Sequence, residues 1–375
     1  MAGKMKLEDV KVGAVVETTF WPNPVKESEY RLRATHLDGK RAPKIVLAGD
    51  PRIRPGVPCR VRITRLENVE RRDRGYIVAE FVESRAFQLE GVWVDPVVGR
   101  KLQVLLESGL NILLDGPQGC GKTVLARAIA RALGLEFIFF NCGAVMEATD
   151  FLATIQVRAS STGQPVTDFV KTDLLDALER AVLNPDRGYL VFLDEFNRCP
   201  ENARNALMPA LDSTRRLFDP ITNRFIPIPD NVQIIAAVNR GSQFSGTFGI
   251  DAAQLDRFAP LQMDYPPPKE EVKILALRHP DLPTKFVTLV VEIAHRIRAS
   301  TDIPGGLSVR ATDEACIYLK HPLIEGERDR MLGEVLQSSF CGRLPGRWDD
   351  VSSDAGGAWS IIQNSIVEAR RKDAV

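Results

Sequence analysis

One stretch of the chain has the residue types and spacing needed to hold a polyphosphate: GPQGCGKT, at residues 116–123. Its fixed positions match the phosphate-binding pattern G-x-x-x-x-G-K-[ST]. The glycines let the backbone turn tightly and point N–H groups inward, and the helix expected next adds the positive end of its dipole. We therefore expect Lys122 to reach the β- and γ-phosphates and Thr123 to ligate Mg²⁺. The residues predicted to contact the nucleotide are Gly116, Pro117, Gln118, Gly119, Cys120, Gly121, Lys122, Thr123 and Val124.

A pair of carboxylates, Asp194 and Glu195, follows the apolar run GYLVFL at residues 188–193. Such a run predicts a strand buried on both faces, and open α/β sheets bind ligands at the carboxyl ends of their strands. We expect Asp194 to hold Mg²⁺, directly or through water, and Glu195 to act as general base on an attacking water. The alternative is a carboxylate pair that only begins a loop.

Alternating strands and helices between residues 94 and 266 are predicted to position these groups. Their order favours a parallel sheet with helices on both faces. The predicted strands are residues 112–114, 136–140, 188–193 and 232–238, and the predicted helices are residues 124–133 and 174–182. Two insertions are predicted hairpins because strand-like segments flank turns rich in Ser, Thr, Gly, Pro or Asn. The hairpins are residues 155–170 and 217–227.

Residues 1–92 are predicted to form a separate all-β module. Five short strand-like segments there are separated by Gly, Pro, Asn and Asp turns, which suits a small barrel of OB-like or TRAM-like type. The segments are residues 14–20, 30–35, 44–48, 59–66 and 75–81.

Part of this module is basic. Between positions 40 and 74 there are 11 Lys or Arg residues and 4 Asp or Glu residues. Arg60, Arg62 and Arg65 are interspersed with Val61 and Ile63, which predicts an outward-facing row of arginines on one strand. That row is as consistent with a single-stranded nucleic-acid platform as with a solvated or edge-protecting face.

The C-terminal part is predicted to be helical. Three consecutive prolines at 266–268 end the sheet region, and apolar periodicity then predicts helices at residues 270–277, 285–297, 308–319 and 328–340. Residues 342–357 are rich in Gly, Asp and Ser and predict a linker before a last helix at 359–371. The predicted domains are therefore residues 1–92, 93–267, 268–341 and 342–375.

Composition narrows the classes of protein to which the chain could belong. The 375 residues carry 49 basic and 49 acidic side chains, so any attraction to nucleic acid must come from a local patch. No run approaches 18 apolar residues and no signal-type stretch begins the chain, so we expect a cytoplasmic protein without membrane contact. The six cysteines lack C-x-x-C spacing, which argues against zinc and disulfides. Five are predicted to be small buried residues, whereas Cys120 is either a low-pKa thiol or a tolerated loop residue.

The order GPQGCGKT, FLDEFNR, IIAAVNRG, LDRF and SVRA resembles an AAA+ ATPase over roughly residues 94 to 340. The DEFNR phrase, with a hairpin on each side, resembles the helix-2-insert branch that holds MoxR-type, McrB-type and dynein-related ATPases and is akin to MCM helicases. This resemblance implies a P-loop AAA+ α/β core with a C-terminal helical lid. Other P-loop classes fit less well, because no [NT]-K-x-D phrase of a GTPase follows and no acceptor motif of a kinase is present.

The resemblance also implies roles for individual residues. Asp194 and Glu195 would be the Walker B pair, Asn239 sensor 1, Arg257 the arginine finger and Arg310 sensor 2. The chemistry agrees, because an amide at a strand end can orient the lytic water and an arginine from a neighbouring subunit can neutralise the γ-phosphate. Whether Arg310 acts on its own subunit's site or on a neighbour's is left open by the resemblance.

We therefore expect an ATP-hydrolysing, Mg²⁺-dependent motor that assembles as a homo-oligomeric, hexameric ring and remodels a protein client. The alternative is a DNA or RNA motor or loader that grips nucleic acid through the N-terminal barrel and the hairpins. MoxR-type chains do not typically carry such a barrel, so the N-terminal module and the tail are expected to hold the specificity.

Overall fold

The computed structural model describes residues 11–22, 29–32, 44–48, 58–67, 76–84, 89, 91–159, 165–219, 222–239, 248–303 and 306–373. Within these residues no helix is long and apolar enough to cross a membrane.

Five N-terminal strands pair in a closed circuit. They are β1 (Val15–Pro22), β2 (Glu29–Leu32), β3 (Lys44–Ala48), β4 (Pro58–Glu67) and β5 (Tyr76–Ser84). The pairing order is β1-β2-β3-β5-β4, and β4 pairs back with β1. Each strand overlaps one predicted segment, because alternation of apolar and polar side chains between turn residues is a strong strand signal.

The exposed arginines lie on β4. Val61 and Ile63 are buried, whereas Arg60, Arg62 and Arg65 are exposed, as predicted. Strict alternation would turn Arg65 inward, but a bulge between Ile63 and Arg65 adds one residue to β4 and returns the arginine to the outer face. Of the other basic residues counted between positions 40 and 74, all but Lys44 lie outside the described residues.

A five-stranded parallel sheet forms the centre of the protein. Its strands are β6 (Ile112–Asp115), β7 (Glu136–Asn141), β10 (Tyr189–Asp194), β13 (Val232–Val238) and β14 (Ala259–Gln262). Their order is β14-β6-β13-β10-β7. The first four confirm the predicted strands. The fifth was not predicted, since it is short and contains Pro260, which a sheet tolerates at an edge.

Helices cover both faces of the sheet, as predicted. They are α1 (Pro96–Glu107), α2 (Lys122–Leu133) and α3 (Asp173–Leu183). Helices α1 and α2 bury their apolar stripes on one face, and α3 packs on the other. Gly134 ends α2 in a left-handed conformation, with φ of 62°.

Both predicted hairpins are present. They are formed by β8 (Ala153–Ala159) with β9 (Pro165–Lys171), and by β11 (Arg216–Asp219) with β12 (Arg224–Pro227). Three short helices accompany them: α4 (Glu201–Asn205), α5 (Met208–Leu211) and α6 (Ala252–Leu255).

The C-terminal region is helical and has its own core. Its helices are α7 (Pro268–Arg278), α8 (Thr284–Arg298), α9 (Val309–Lys320), α10 (Arg328–Phe340) and α11 (Asp354–Asp373). Helix α11 begins five residues before the predicted start at Trp359, so residues 354–357 are not linker. The reason is close packing: a Cβ atom on Gly356 would lie 1.9 Å from the carbonyl oxygen of Asp350, and Gly357 packs on Ile303. Helix α11 contributes Ala358 and Ile362 to the helical core.

A buried ionic network joins three of these helices. The carboxylate of Glu271 on α7 is fully buried and accepts hydrogen bonds from Arg298 at 2.6 and 3.1 Å, from His295 at 2.8 Å and from Thr312 at 2.7 Å. Burial alone would raise the pKa of Glu271, but the bonds from His295 and Arg298 outweigh it and hold the pKa at about 2. The charged network therefore ties α7, α8 and α9 together.

This network predicts a specific acid sensitivity. Since the folded pKa of Glu271 lies below its ordinary value of 4.5, its stabilisation is complete above pH 4.5 and is lost as pH falls towards 2. The difference corresponds to about 3 kcal/mol of unfolding free energy. Urea titrations at pH 7, 4.5 and 2.5 should show Glu271→Gln to be less stable at pH 7 and to lose less stability on acidification. Glu292→Gln, an exposed change on α8, should behave like the wild type. Equal acid slopes in wild type and Glu271→Gln would refute the assignment.

Candidate functional site

The predicted phosphate-binding loop joins β6 to α2. Gly119 and Gly121 have positive φ values of 73° and 103°, which other residues adopt at a cost. Close approach also requires glycines: a Cβ atom on Gly116 would lie 2.5 Å from the carbonyl oxygen of Met263, and one on Gly119 would lie 2.5 Å from Cβ of Ser308. No side chain caps the start of α2, so the positive end of its dipole faces the loop.

Lys122 lies inside this loop and is buried. Its Nζ donates to the carbonyl oxygens of Gly116 at 2.7 Å and Pro117 at 2.9 Å, and to Oδ1 of Asn239 at 2.7 Å. Burial lowers the pKa of the Lys122 ammonium, an effect opposed by Cys120 and Asp194. The ammonium is thus held by three oxygen acceptors, the kind of partner that phosphate oxygens can replace.

Thr123 and Asp194 supply oxygen ligands on the other side of the loop. The Thr123 hydroxyl donates to Oδ2 of Asp194 at 3.4 Å, and the carboxylate also accepts from the Glu195 backbone N–H at 3.0 Å. A hydroxyl beside a carboxylate is a hard donor set of the type that Mg²⁺ takes together with substrate phosphates. These residues fit the predicted ion. The described residues contain no cluster of three or more His, Cys, Asp or Glu side chains that would hold a metal by itself.

Glu195 has an unusual backbone conformation. Its φ is 51°, and positive φ in a residue of this size is uncommon and typical of functional sites. Its carboxylate lies against Gly143, where a Cβ atom would be 2.9 Å from Oε2, and its Oε1 lies 3.5 Å from Nε of Arg198. The side chain is therefore held in the space between the ends of β7 and β10.

Asn239, at the carboxyl end of β13, completes this edge of the sheet. Its side-chain oxygen accepts from Lys122, and its backbone carbonyl accepts from Nδ2 of Asn197 at 2.9 Å. Asn197 is buried and was not predicted as a site residue, although it lies in the DEFNR phrase. The signal for it was its position two residues after Glu195.

One cavity of about 180 Å³ is lined both by residues of the phosphate-binding loop and sheet edge and by residues of the helical region. Residues 118–124, Asp194, Glu195 and Asn239 line it, and Arg310 in the first turn of α9 lines the same cavity. Arg257 is not among the lining residues. Its guanidinium Nη1 folds back onto the carbonyl of Ala253, and its Nε is buried without a partner among the described residues.

Sequence reasoning missed several lining residues. Trp93, Arg278 and Asp313 come from outside the motifs, on the segment before α1 and on the helical region. Asp313 pairs with Arg278 at 3.6 Å and with Nε2 of His279 at 2.9 Å. No local pattern marks such residues, because only the packing of the helices on the sheet brings them to the cavity.

The low-pKa alternative for Cys120 is wrong. The thiol is buried, and burial raises its pKa despite the neighbouring Lys122 ammonium. Cys142, Cys199, Cys316 and Cys341 are buried free thiols, as predicted, and the side chain of Cys59 lies outside the described part of the chain.

Residues 111–258 match the family model of the AAA domain (dynein-related subfamily). The matched residues include the phosphate-binding loop and four of the five strands of the parallel sheet, and the helical C-terminal region follows them. Uncharacterized proteins of Staphylococcus haemolyticus and Staphylococcus saprophyticus are 29% and 28% identical over 171 residues, which is 46% of this chain and 62% of each relative. The match therefore spans less than two thirds of those relatives. The Thermotoga maritima RuvB Holliday junction branch migration motor is 18% identical with a TM-score of 0.41, covering 66% of this chain and 68% of that one.

Proposed function

We propose that the AAA domain at residues 111–258 hydrolyses ATP with Mg²⁺, and that the chain works as a ring-forming motor of MoxR or McrB type. The observation that carries the proposal is the convergence of Lys122, Asp194, Glu195 and Asn239 on one cavity that Arg310 also lines. A cation, a hydroxyl–carboxylate pair, a second carboxylate and an amide are the groups that phosphoryl transfer to water requires.

Each group has a distinct task in this proposal. Lys122 exchanges its carbonyl partners for phosphate oxygens, and the uncapped start of α2 adds its dipole. Thr123 and Asp194 would hold Mg²⁺, which would supply positive charge to the phosphates. Glu195 takes the proton of the attacking water, and Asn239 orients that water. Arg310 lines its own subunit's cavity, so we assign it to the same subunit's nucleotide.

Arg257 is assigned to the nucleotide of a neighbouring subunit. It lies outside its own cavity, and its fold-back onto Ala253 leaves it available to be redirected when a neighbour docks. An arginine supplied across an interface is worth roughly 10³ to 10⁵ in hydrolysis rate in related phosphoryl-transfer systems. The proposed assembly is a closed, hexameric ring, promoted by ATP because both subunits grip the γ-phosphate.

Mixing two inactive variants tests this shared site. Lys122→Ala removes the phosphate contact and Arg257→Ala removes the finger, so each alone should show less than roughly a hundredth of the wild-type rate. In an equal mixture, roughly a quarter of interfaces join an intact loop to an intact finger by random assortment in a closed ring. We expect phosphate release to rise accordingly in the mixture.

The matched control mixes Lys122→Ala with Glu195→Gln. Both changes damage the same half of the interface, so no combination restores a complete site and activity should stay at background. Light scattering should verify assembly in each mixture. If Lys122→Ala and Arg257→Ala show no rescue at any ratio although mixed rings form, Arg257 does not act across subunits.

The hairpin of β11 and β12 is the part of the core that we propose contacts the client. Phe218 and Phe225 face each other across it, with ring centroids 5.3 Å apart, and are 43% and 54% exposed. Arg216 stacks on Phe225 at 4.3 Å. Leu217, on the opposite face, is buried in the core beneath the sheet. A hairpin anchored on one side and aromatic on the other is suited to gripping an extended polypeptide when ATP turnover moves it.

A nucleic-acid motor is the second candidate, favoured by the exposed arginines of β4. In this reading β1 to β5 form an OB-like barrel that contacts phosphates. The neighbouring strand β5 also carries an opposing carboxylate, because Arg62 pairs with Glu80 at 3.1 Å. Mixed charge on this face weakens phosphate binding, so we place the protein remodeller first.

Stimulation of ATPase activity separates the two candidates. We expect a permanently unfolded polypeptide, such as reduced and carboxymethylated lactalbumin, to raise phosphate release more than 2-fold, and Phe218→Ser with Phe225→Ser to remove that rise while leaving the basal rate. The nucleic-acid candidate predicts stimulation by poly(dT), duplex DNA or poly(U) that falls steeply between 50 and 200 mM salt, and its loss when Arg60, Arg62 and Arg65 become Ser. Stimulation by nucleic acid that is lost in the arginine variants would overturn the assignment of the chain as a protein remodeller.

A further inference from the structure

A chain of hydrogen bonds leads from the end of β13 to the segment before the arginine finger. Asn197, two residues after Glu195, donates through Nδ2 to the carbonyl of Asn239 at 2.9 Å and accepts through its own carbonyl from the Phe248 N–H at 2.7 Å. Asn197 therefore holds both Asn239 and the segment that begins at Phe248.

The next two contacts come from α4, which follows the DEFNR phrase. Arg204 is fully buried and donates through Nη2 to the carbonyl of Gly249 at 2.5 Å. Asn205 is exposed, and its Oδ1 accepts from Nε2 of Gln254 at 2.8 Å. Gln254, on α6, is only 1% exposed, and its backbone N–H donates to Oδ1 of Asp251 at 2.7 Å.

Gln254 is directly connected to Arg257. The Arg257 N–H donates to the Gln254 carbonyl at 3.4 Å. On the other side, Asn111, immediately before β6, donates through Nδ2 to the Arg257 carbonyl at 3.3 Å. A four-residue helix such as α6 is not stable by itself, so these side-chain contacts set its direction and that of the arginine.

We propose that Asn205 and Gln254 are positioning residues that fix the arginine finger Arg257 for the neighbouring subunit's nucleotide. The inference rests on the proposed trans action of Arg257. A buried amide can make its hydrogen bonds in few orientations. An amide pair therefore fixes the direction of α6 better than an apolar contact would. The bonds of Asn197 and Arg204 tie the segment before α6 to the catalytic edge of the same subunit.

The expected effect follows from the sensitivity of catalysis to geometry. A displacement of about 1 Å in a catalytic group costs roughly 10²-fold in rate. Asn205→Leu, which removes the acceptor, should therefore lower kcat by roughly 10-fold or more while leaving the Kd for ATP within about 2-fold. Asn205→Asp keeps an acceptor oxygen for Gln254 and should retain most of the wild-type kcat.

Complementation distinguishes a finger defect from a site defect. Asn205→Leu should regain activity when mixed with Lys122→Ala, which supplies an intact finger, and should gain nothing from Arg257→Ala, whose finger is also lost. A defect in the subunit's own nucleotide site gives the opposite pattern. Gln254→Leu should show the same complementation pattern as Asn205→Leu, with rescue by Lys122→Ala and none by Arg257→Ala. Gln233→Leu, which removes an amide bond to the Leu110 carbonyl away from the site, should keep wild-type kcat.

Several results would overturn the inference while leaving the proposed function intact. These are wild-type kcat in Asn205→Leu, rescue by Arg257→Ala instead of Lys122→Ala, or loss of the fold in a variant whose altered side chain is exposed. Absence of rescue between Lys122→Ala and Arg257→Ala themselves would instead refute the shared site on which the inference depends.

Discussion

Replacement of Lys122 by Ala should abolish nucleotide binding, raising the Kd for ATP by roughly 100-fold or more. Lys122 is the only side-chain cation within the loop motif, and its buried ammonium already lies among three oxygen acceptors. Alanine leaves the phosphates with backbone N–H groups and the helix dipole alone. Isothermal titration with ATP and Mg²⁺ measures the effect directly.

A matched lysine provides the control for this change. Lys101 on α1 is exposed and donates to the carbonyl of Pro260 at 2.7 Å, away from the cavity. Lys101→Ala removes the same charge and should leave the Kd for ATP unchanged. Wild-type affinity in a folded Lys122→Ala protein would show that residues 116–123 do not form the nucleotide site.

Glu195→Gln should separate binding from hydrolysis. Glutamine has the same size and still fits against Gly143, but it cannot accept a proton. We expect the Kd for ATP to stay within about 3-fold of wild type and phosphate release to fall by ~10²-fold or more. Equilibrium titration and steady-state phosphate release on the same preparation give both quantities.

A surface glutamate checks that loss of charge alone has no such effect. Glu179 on α3 pairs with Lys171 at 2.6 Å, and its side chain is 43% exposed. Glu179→Gln should hydrolyse ATP at the wild-type rate. A Glu195→Gln protein that does the same would mean that another residue activates the water.

The elements that carry the site were predictable because their signals are local. Residues 232–238 are apolar apart from Gln233, and β13 has those bounds. Helix α10 likewise begins at Arg328 and ends at Phe340, as predicted from its periodicity. Buried parallel strands must be apolar throughout, and helices on a core must repeat near every 3.6 residues, so both leave a clear pattern.

The remaining features depend on tertiary packing, which no local pattern encodes. Strand β14 contains Pro260 and pairs only because β6 offers it an edge. Gly356 and Gly357 suggested a linker, whereas they let α11 pass close to Asp350 and Ile303. Arg65 faces outward as predicted, but the bulge in β4 that turns it there was not predicted.

The site residues likewise divide into those that the sequence predicts and those that depend on tertiary packing. Lys122, Asp194 and Glu195 were predicted because each lies where a regular element begins or ends, and Asn239 was predicted from the family resemblance. Whether Arg310 lines its own cavity was left open, because the answer depends on how α9 sits over the loop. The bonds of Asn205 and Gln254 join residues 49 positions apart and carry no sequence signature.

The most direct measurement of the central claim is steady-state phosphate release from ATP by the purified chain, with Mg²⁺ and with EDTA, across a range of protein concentrations. We expect Mg²⁺-dependent release whose rate per subunit rises with concentration as rings form, because each complete site needs a neighbour's Arg257, and we expect the Glu195→Gln protein to stay near background. Release that is no greater than that of Glu195→Gln at every concentration would contradict the account.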